Sequence, residues 1–371
     1  MRTIAALLAA IALISPTAAR ADHGPPQVGV AVYDLGDTAF TREGFRGPNE
    51  LRAVVHYPKQ RTTTPRPLVL QLHGMWWTCV ATPKNEPTMD WPCPQGHHEL
   101  PSYRGYDYLG KALARRGFVV VSIGVNGINS ANPGAAYTDR AHLLNKHLEM
   151  WQRLSSTGDG ELAGKFADPV TGAPVPVDFR GQVDLTNVGT MGHSRGGMAA
   201  MLHSSEQWRP TWPPGVQVRA VLPLGAVYNV VEPTEVTSVP FAVLDGGCDS
   251  IRGRSYFDDV RGRTKVPIHA FLVHGANHNF SNVQWSPGSG QAGAVDDASH
   301  EGLPAGQCTD GHAGSTPGRQ LTEARQREVV VTYATAFYQR YLQGRTDRDP
   351  VLTGQSHPVR HITPVDVEFA S

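Results

Sequence analysis

The sequence predicts an α/β domain with a mostly parallel central sheet and helices on both faces. Three observations predict it. Strand-like and helix-like segments alternate from about residue 50 to residue 343, the order that builds a sheet layered with helices. Several strand-like segments are continuously apolar, as in Phe118-Val119-Val120-Val121-Ser122-Ile123; strands covered on both faces read this way. One apolar strand also runs through Gly192-His193-Ser194-Arg195-Gly196 directly into good helix formers. That strand–turn–helix step is too tight for side chains two residues either side of the serine.

The elements follow in order. Residues 51–57 read as a strand, and residues 67–73 as a buried strand that stops at His73-Gly74. Tyr108, Leu109, Ala112 and Leu113 are spaced for a helix over residues 106–116, stopped by Gly117. Residues 118–123 form the next strand. Residues 138–154 carry Leu143, Leu144, His147, Leu148, Trp151 and Leu154 at i, i+3, i+4 spacing, which reads as a long amphipathic helix. Residues 183–191 supply the strand before the glycine-flanked turn, and residues 198–203 the helix after it. Three short buried strands follow at residues 218–224, 240–244 and 267–273. A closing amphipathic helix covers residues 322–343, ended by Gly344. Residues 79–102 and 281–318 are rich in Gly, Pro and Ser. They read as loop insertions beside strand ends, where α/β sheets carry function. With no internal repeat and no linker, residues 22–371 read as one domain.

Bulk properties narrow the function class. Of 371 residues, 40% are hydrophobic and 18% charged, enough apolar material for a large core. Lys plus Arg equals Asp plus Glu at 33 each, and no basic run stands out. That balance speaks against nucleic acid and against electrostatic membrane binding. Arg2, an apolar run over residues 4–14, Pro16 and Ala19-Arg20-Ala21 read as a cleaved export signal over residues 1–21. The run is too short to span a bilayer, and no second apolar span follows. The expectation is a secreted or periplasmic monomer, not stably inserted in a membrane.

Four cysteines, Cys79, Cys93, Cys248 and Cys308, suit that compartment. An even count in an exported chain suggests two disulfides with three connectivities. The favoured pairing is Cys79–Cys93, closing a short Pro-rich loop, and Cys248–Cys308, tying down a long Gly-rich one. Cys93, His97 and His98 lie close together but lack a C-x-x-C pair or a second ligand cluster, so no metal is expected.

The turn at Ser194 is a G-x-S-x-G elbow with a strand before and a helix after, which presents a serine at a helix N-terminus. A serine hydroxyl is a weak nucleophile until an oriented base takes its proton. In such folds the acid and then the histidine follow the serine in the chain. Ala242-Val243-Leu244-Asp245-Gly246-Gly247-Cys248-Asp249 offers two acids. Asp249 is favoured, beyond a Gly-Gly turn that swings it over the sheet rim, and Asp245 reads as a turn residue. Val273-His274-Gly275-Ala276-Asn277-His278 offers two histidines. His278 lies in the loop and is favoured as the base; the ring of His274, at the strand end, is expected to be packed. The backbone N–H groups of Arg195 and Met75 are expected to bind a developing oxyanion. Trp76 and Trp77 either line an acyl or aromatic subsite or pack under the loop.

These residues resemble the α/β-hydrolase superfamily, and within it the secreted bacterial group similar to chlorophyllases, cutinase-like polyester hydrolases and dienelactone hydrolases. The resemblance covers roughly residues 50–343. It rests on Leu72-His73-Gly74-Met75, Gly192-His193-Ser194-Arg195-Gly196, the turn from Gly246 to Asp249, and Gly275-Ala276-Asn277-His278-Asn279-Phe280. It implies an α/β-hydrolase fold and a serine carboxylic ester hydrolase with no cofactor. By resemblance Ser194, Asp249 and His278 carry over as the triad, with Met75 and Arg195 as oxyanion donors. The ester is a small molecule or a polymer. Polyester, cutin or lipase activity, acyl transfer and peptide hydrolysis stand as alternatives. The chain departs from cutinase-like enzymes in Arg195, where they usually have Met, and in Met75, where they usually have an aromatic residue.

Overall fold

The computed structural model describes residues 26–81, 84–131, 136–228, 234–298, 302–310 and 317–371; the export signal read over residues 1–21 lies outside them. In chain order the elements are β1 (Val28–Asp34), β2 (Arg52–Pro58), β3 (Arg66–Leu72), the short β4 (Cys79–Ala81), β5 (Pro87–Thr88) and β6 (His97–Glu99), α1 (Asp107–Ala114), β7 (Val119–Ile123), α2 (Asn126–Ala131) and α3 (Tyr137–Thr157). There follow β8 (Val183–His193), α4 (Arg195–Ser204), β9 (Val218–Leu224), β10 (Phe241–Gly246), α5 (Arg254–Val260), β11 (Ile268–Val273), β12 (Gln307–Cys308), β13 (Gly318–Arg319), α6 (Glu323–Gln343), α7 (Asp349–Leu352) and β14 (Val365–Ala370).

The apolar runs become the inner strands of a nine-stranded sheet, ordered β1-β2-β7-β3-β8-β9-β10-β11-β14. From β7 to β11 the neighbours are parallel. Period-two alternation divides their side chains between two layers. Leu68, Leu70 and Leu72 of β3 join a core with Leu144, Leu148 and Trp151 of α3 and Met198 and Met201 of α4. Val69 and Val120 face the opposite core, built with Leu109 and Leu113 of α1 and Val330 and Phe337 of α6. Each fully buried side chain of this kind stabilises the fold by roughly 1.5–3 kcal/mol. The closing helix is stopped at both ends: the Thr322 side chain accepts the Arg325 N–H, and Gly344 takes the left-handed conformation at φ 69°.

Two edge strands were not foreseen. β1 pairs antiparallel with β2, and β14 antiparallel with β11. Both are short, alternating segments whose strand state depends on a partner far away in sequence. The insertion at residues 79–102 is also more ordered than a loop, because β5-β4-β6 form a small antiparallel sheet.

Cys79 is bonded to Cys93, and Cys248 to Cys308, which leaves no free cysteine. The first bridge takes Cys93 out of any ligand set with His97 and His98. Two disulfides fit an oxidising, extracellular compartment. No described helix is long and apolar enough to cross a membrane.

Candidate active site

The site forms where five parallel strands end in register. Leu72 of β3 is level with Gly192 of β8, and His193 of β8 with Leu224 of β9. Leu224 is level with Leu244 of β10, and Gly246 of β10 with Val273 of β11. From β3 the chain crosses to β7 on one side and then to β8 on the other, so a crevice opens at the ends of β3 and β8. Met75 follows β3, Ser194 follows β8, Gly225 follows β9, Asp249 follows β10 and His278 follows β11.

Ser194 has φ 58° and ψ −124°, a conformation that costs a side-chain-bearing residue of order 1–3 kcal/mol. Its surroundings allow nothing but glycine. A Cβ on Gly192 would lie 2.0 Å from the Gly196 carbonyl oxygen, and one on Gly74 2.5 Å from the Ser194 Cβ. The Ser194 N–H donates to Leu224 O at 3.0 Å, and its carbonyl accepts the Gly197 N–H at 2.9 Å. The turn is thereby tied to β9 and to α4.

Asp249 is 3% exposed. Its Oδ2 lies 2.7 Å from His278 Nδ1, and its Oδ1 accepts the Ile251 N–H at 2.7 Å. Burial works against a charged His278, but the charge and hydrogen bond of Asp249, aided by Asp297 and Asp245, outweigh it and hold its pKa above the usual 6.5. With Nδ1–H donated to Asp249, Nε2 is the nitrogen left to accept a proton. Ser194 and His278 line one cavity of about 610 Å³ with Met75, Trp76, Trp77 and Arg195. Among the described residues no hydrogen bond joins Ser194 Oγ to His278; such contacts commonly tighten only when substrate is bound.

The two residues weighed against these have other work. Asp245 Oδ1 accepts the Gly253 N–H at 3.0 Å, and burial pushes its carboxyl up to about 7. His274 is not a packed ring, as the sequence suggested. It is 22% exposed and clamped between carboxylates, with Nδ1 2.7 Å from Asp310 Oδ2 and Nε2 2.9 Å from Asp366 Oδ2. The β14 edge, unseen in the sequence, brings Asp366 there. Cys248, Cys308 and Asp310 cluster, but both sulfurs are spent in a disulfide and offer no thiolate to a metal.

Among the described residues, neither the Met75 N–H nor the Arg195 N–H donates to another group. The Met75 N–H is aimed by what holds the carbonyl before it. Gly74 O accepts from His73 Nδ1 at 2.9 Å and from Asn129 Nδ2 at 3.1 Å. His73 Nε2 accepts the Val125 N–H at 3.1 Å, so the ring is neutral with its proton on Nδ1. Burial accordingly holds its pKa down to about 3. A trans peptide places N–H opposite C=O, so the Met75 N–H points away from this network. Asn129 is fixed in turn. Its Oδ1 accepts from Arg140, and α2, which carries it, is held by buried Glu50 through the N–H groups of Asn126 (2.6 Å) and Gly127 (2.9 Å).

An aromatic wall closes one side. Trp76 stacks on Trp285 at 5.0 Å, Trp285 on His193 at 4.8 Å, and His193 lies 4.6 Å from His278. Trp285 Nε1 donates to Ser102 Oγ at 2.9 Å. Trp77 is 37% exposed at the rim. Buried Asp297 accepts the N–H groups of His278 and, at 3.3 Å, Asn279. His193, Gly225, Trp285, Asp297 and Asn129 were not read from the sequence. A glycine directly after a buried strand was a usable signal for Gly225. Trp285, Asp297 and Asn129 carry none, because only the folded insertion and α2 bring them to the site; His193 stands beside Ser194 at the end of β8, but nothing in the sequence shows that its ring lies against Trp285 and His278.

No protein-family model matches the chain, and no curated protein does.

Proposed function

We propose that this chain is an exported serine carboxylic ester hydrolase with an α/β-hydrolase fold. The observation that carries it is the Asp249–His278 pair, in one cavity with a serine held at positive φ. Two uncommitted N–H groups beside that serine support it further. His278 Nε2 takes the Ser194 proton as Oγ bonds to the ester carbonyl carbon. The carbonyl oxygen becomes an oxyanion facing the Met75 and Arg195 N–H groups. The C–O bond to the alcohol breaks, and the alcohol leaves with the proton from His278. Water then gives a proton to His278, attacks the acyl group and releases the acid, and Ser194 recovers its proton.

The aromatic wall and the folded insertion at residues 79–102 favour a small ester over a polymer strand. The two disulfides favour an oxidising compartment. The test is a panel of p-nitrophenyl acyl esters with fluorophosphonate labelling. Wild type is expected to cleave and to be labelled on Ser194, and Ser194→Ala to do neither. Turnover that survives Ser194→Ala would sink the mechanism. Added alcohol that diverts most of the acyl group to a new ester would make the chain an acyltransferase.

A further inference from the structure

We propose, on the hydrolase reading above, that the Arg195 side chain selects esters bearing a carboxylate. Arg195 is the first residue of α4, next to Ser194, and lines the same cavity. Among the described residues it makes no ion pair. Its guanidinium has one side-chain hydrogen bond, from Nη1 to Met75 Sδ at 2.7 Å. A thioether is a weak acceptor, so most of five donors remain unmatched at the wall of an active-site cavity. Other arginines of this chain meet acids: Arg52 meets Glu99 at 2.5 Å and Arg263 meets Glu235 at 2.7 Å.

The acids that share the cavity are already engaged. Asp249 is held by His278 and the Ile251 N–H, and Asp297 by two backbone N–H groups. The rest of the wall is largely aromatic and aliphatic, through Trp76, Trp77, Trp285, Val227 and Ile251. A cation beside low-dielectric walls concentrates positive potential in the cavity. The planar guanidinium fork matches a carboxylate in two parallel hydrogen bonds. Exchanging a sulfur contact for a carboxylate gains a charge-assisted bond at small cost.

The test compares kcat/KM within two matched pairs. One carries the charge on the acyl side: p-nitrophenyl hydrogen adipate against p-nitrophenyl methyl adipate. The other carries it on the alcohol side: 4-acetoxybenzoate against its methyl ester. In wild type one pair is expected to favour the acid by about 10- to 100-fold, less at high salt. Arg195→Gln is expected to bring that ratio to about 1, and Arg195→Lys to keep part of it. A ratio cancels any general loss of turnover in the variants. Equal rates on both members of both pairs in wild type overturn the proposal without any variant, and so does a ratio that survives Arg195→Gln. Those outcomes leave the hydrolase reading standing. Absence of ester cleavage together with an unlabelled Ser194 removes that reading and this proposal with it.

Discussion

The carbonyl oxygen of Gly74 accepts the side-chain amide of Asn129 at 3.1 Å, across 55 positions of sequence. Asn129 touches neither Ser194 nor His278 by any hydrogen bond described. It acts on the peptide whose other end is the Met75 N–H, and it is locked by Arg140 behind it.

Asn129→Ala leaves that carbonyl with the His73 donor alone. Removing an oxyanion donor outright costs about 10²–10³ in kcat; loosening one is expected to cost about 10-fold. The loss falls on kcat and leaves KM nearly unchanged, because the donor matters most once the oxyanion forms. Steady-state kinetics on a p-nitrophenyl ester check this, with fluorophosphonate labelling to count folded sites. An unchanged kcat would separate Asn129 from the reaction.

Asp249→Asn is expected to lower kcat by about 10⁴-fold, as loss of the orienting acid does in serine triads. The pH profile carries the sign. His278 must be neutral to accept the serine proton, so activity rises as pH passes its pKa. Asp249 is the largest of the influences that raise that pKa, and burial opposes it. Without Asp249 burial dominates, and the acid limb of kcat/KM moves to lower pH. A limb that stays in place would mean that another group is titrating.

Gly225 has φ 47°, and a Cβ there would stand 2.8 Å from Asp249 Oδ2 and 3.1 Å from His278 Nδ1. Gly225→Ala is therefore expected to prise the pair apart and lower kcat/KM by about 10²-fold or more. Strain at positive φ adds roughly 1–2 kcal/mol of destabilisation. Circular dichroism melts beside kinetics separate the two effects. Full activity in Gly225→Ala would show that this contact does not constrain the pair.

His274 gives a pH dependence of stability rather than activity. Burial opposes its charge, but hydrogen bonds to Asp310 and Asp366 outweigh it and raise its pKa. A raised pKa contributes stability that is fully present below about pH 6.5 and is lost as pH climbs through the folded value. The difference in Tm between wild type and His274→Gln should be larger at pH 6 than at pH 9. A constant difference would show that the clamp carries no titrating charge.

The candidate site was legible where backbone geometry dictates residue type. The glycines around Ser194 are forced by contacts within the turn itself, so the pentapeptide and its flanks announced it. Asp249 and His278 were expected from their place after strands in a fixed chain order, although Asp245 and His274 stood nearby, and the structure joins the two by a hydrogen bond. His274 was misjudged because its partner Asp366 lies on an edge strand that the sequence did not reveal. The aromatic wall was half legible: Trp76 follows the β3 loop, whereas Trp285 arrives from an insertion that read only as Gly, Pro and Ser.

The sequence by itself determined the alternation of strands and helices, the serine turn and the positions of Asp249 and His278 after their strands. Each follows from local sterics or from the period at which side chains are buried. Only the tertiary structure decided which carboxylate meets which imidazole, what holds the Met75 peptide, and that Arg195 lines the cavity with no acid paired to it among the described residues. Those depend on contacts between residues tens of positions apart. No local propensity encodes such contacts; packing of the whole sheet brings them within hydrogen-bonding distance.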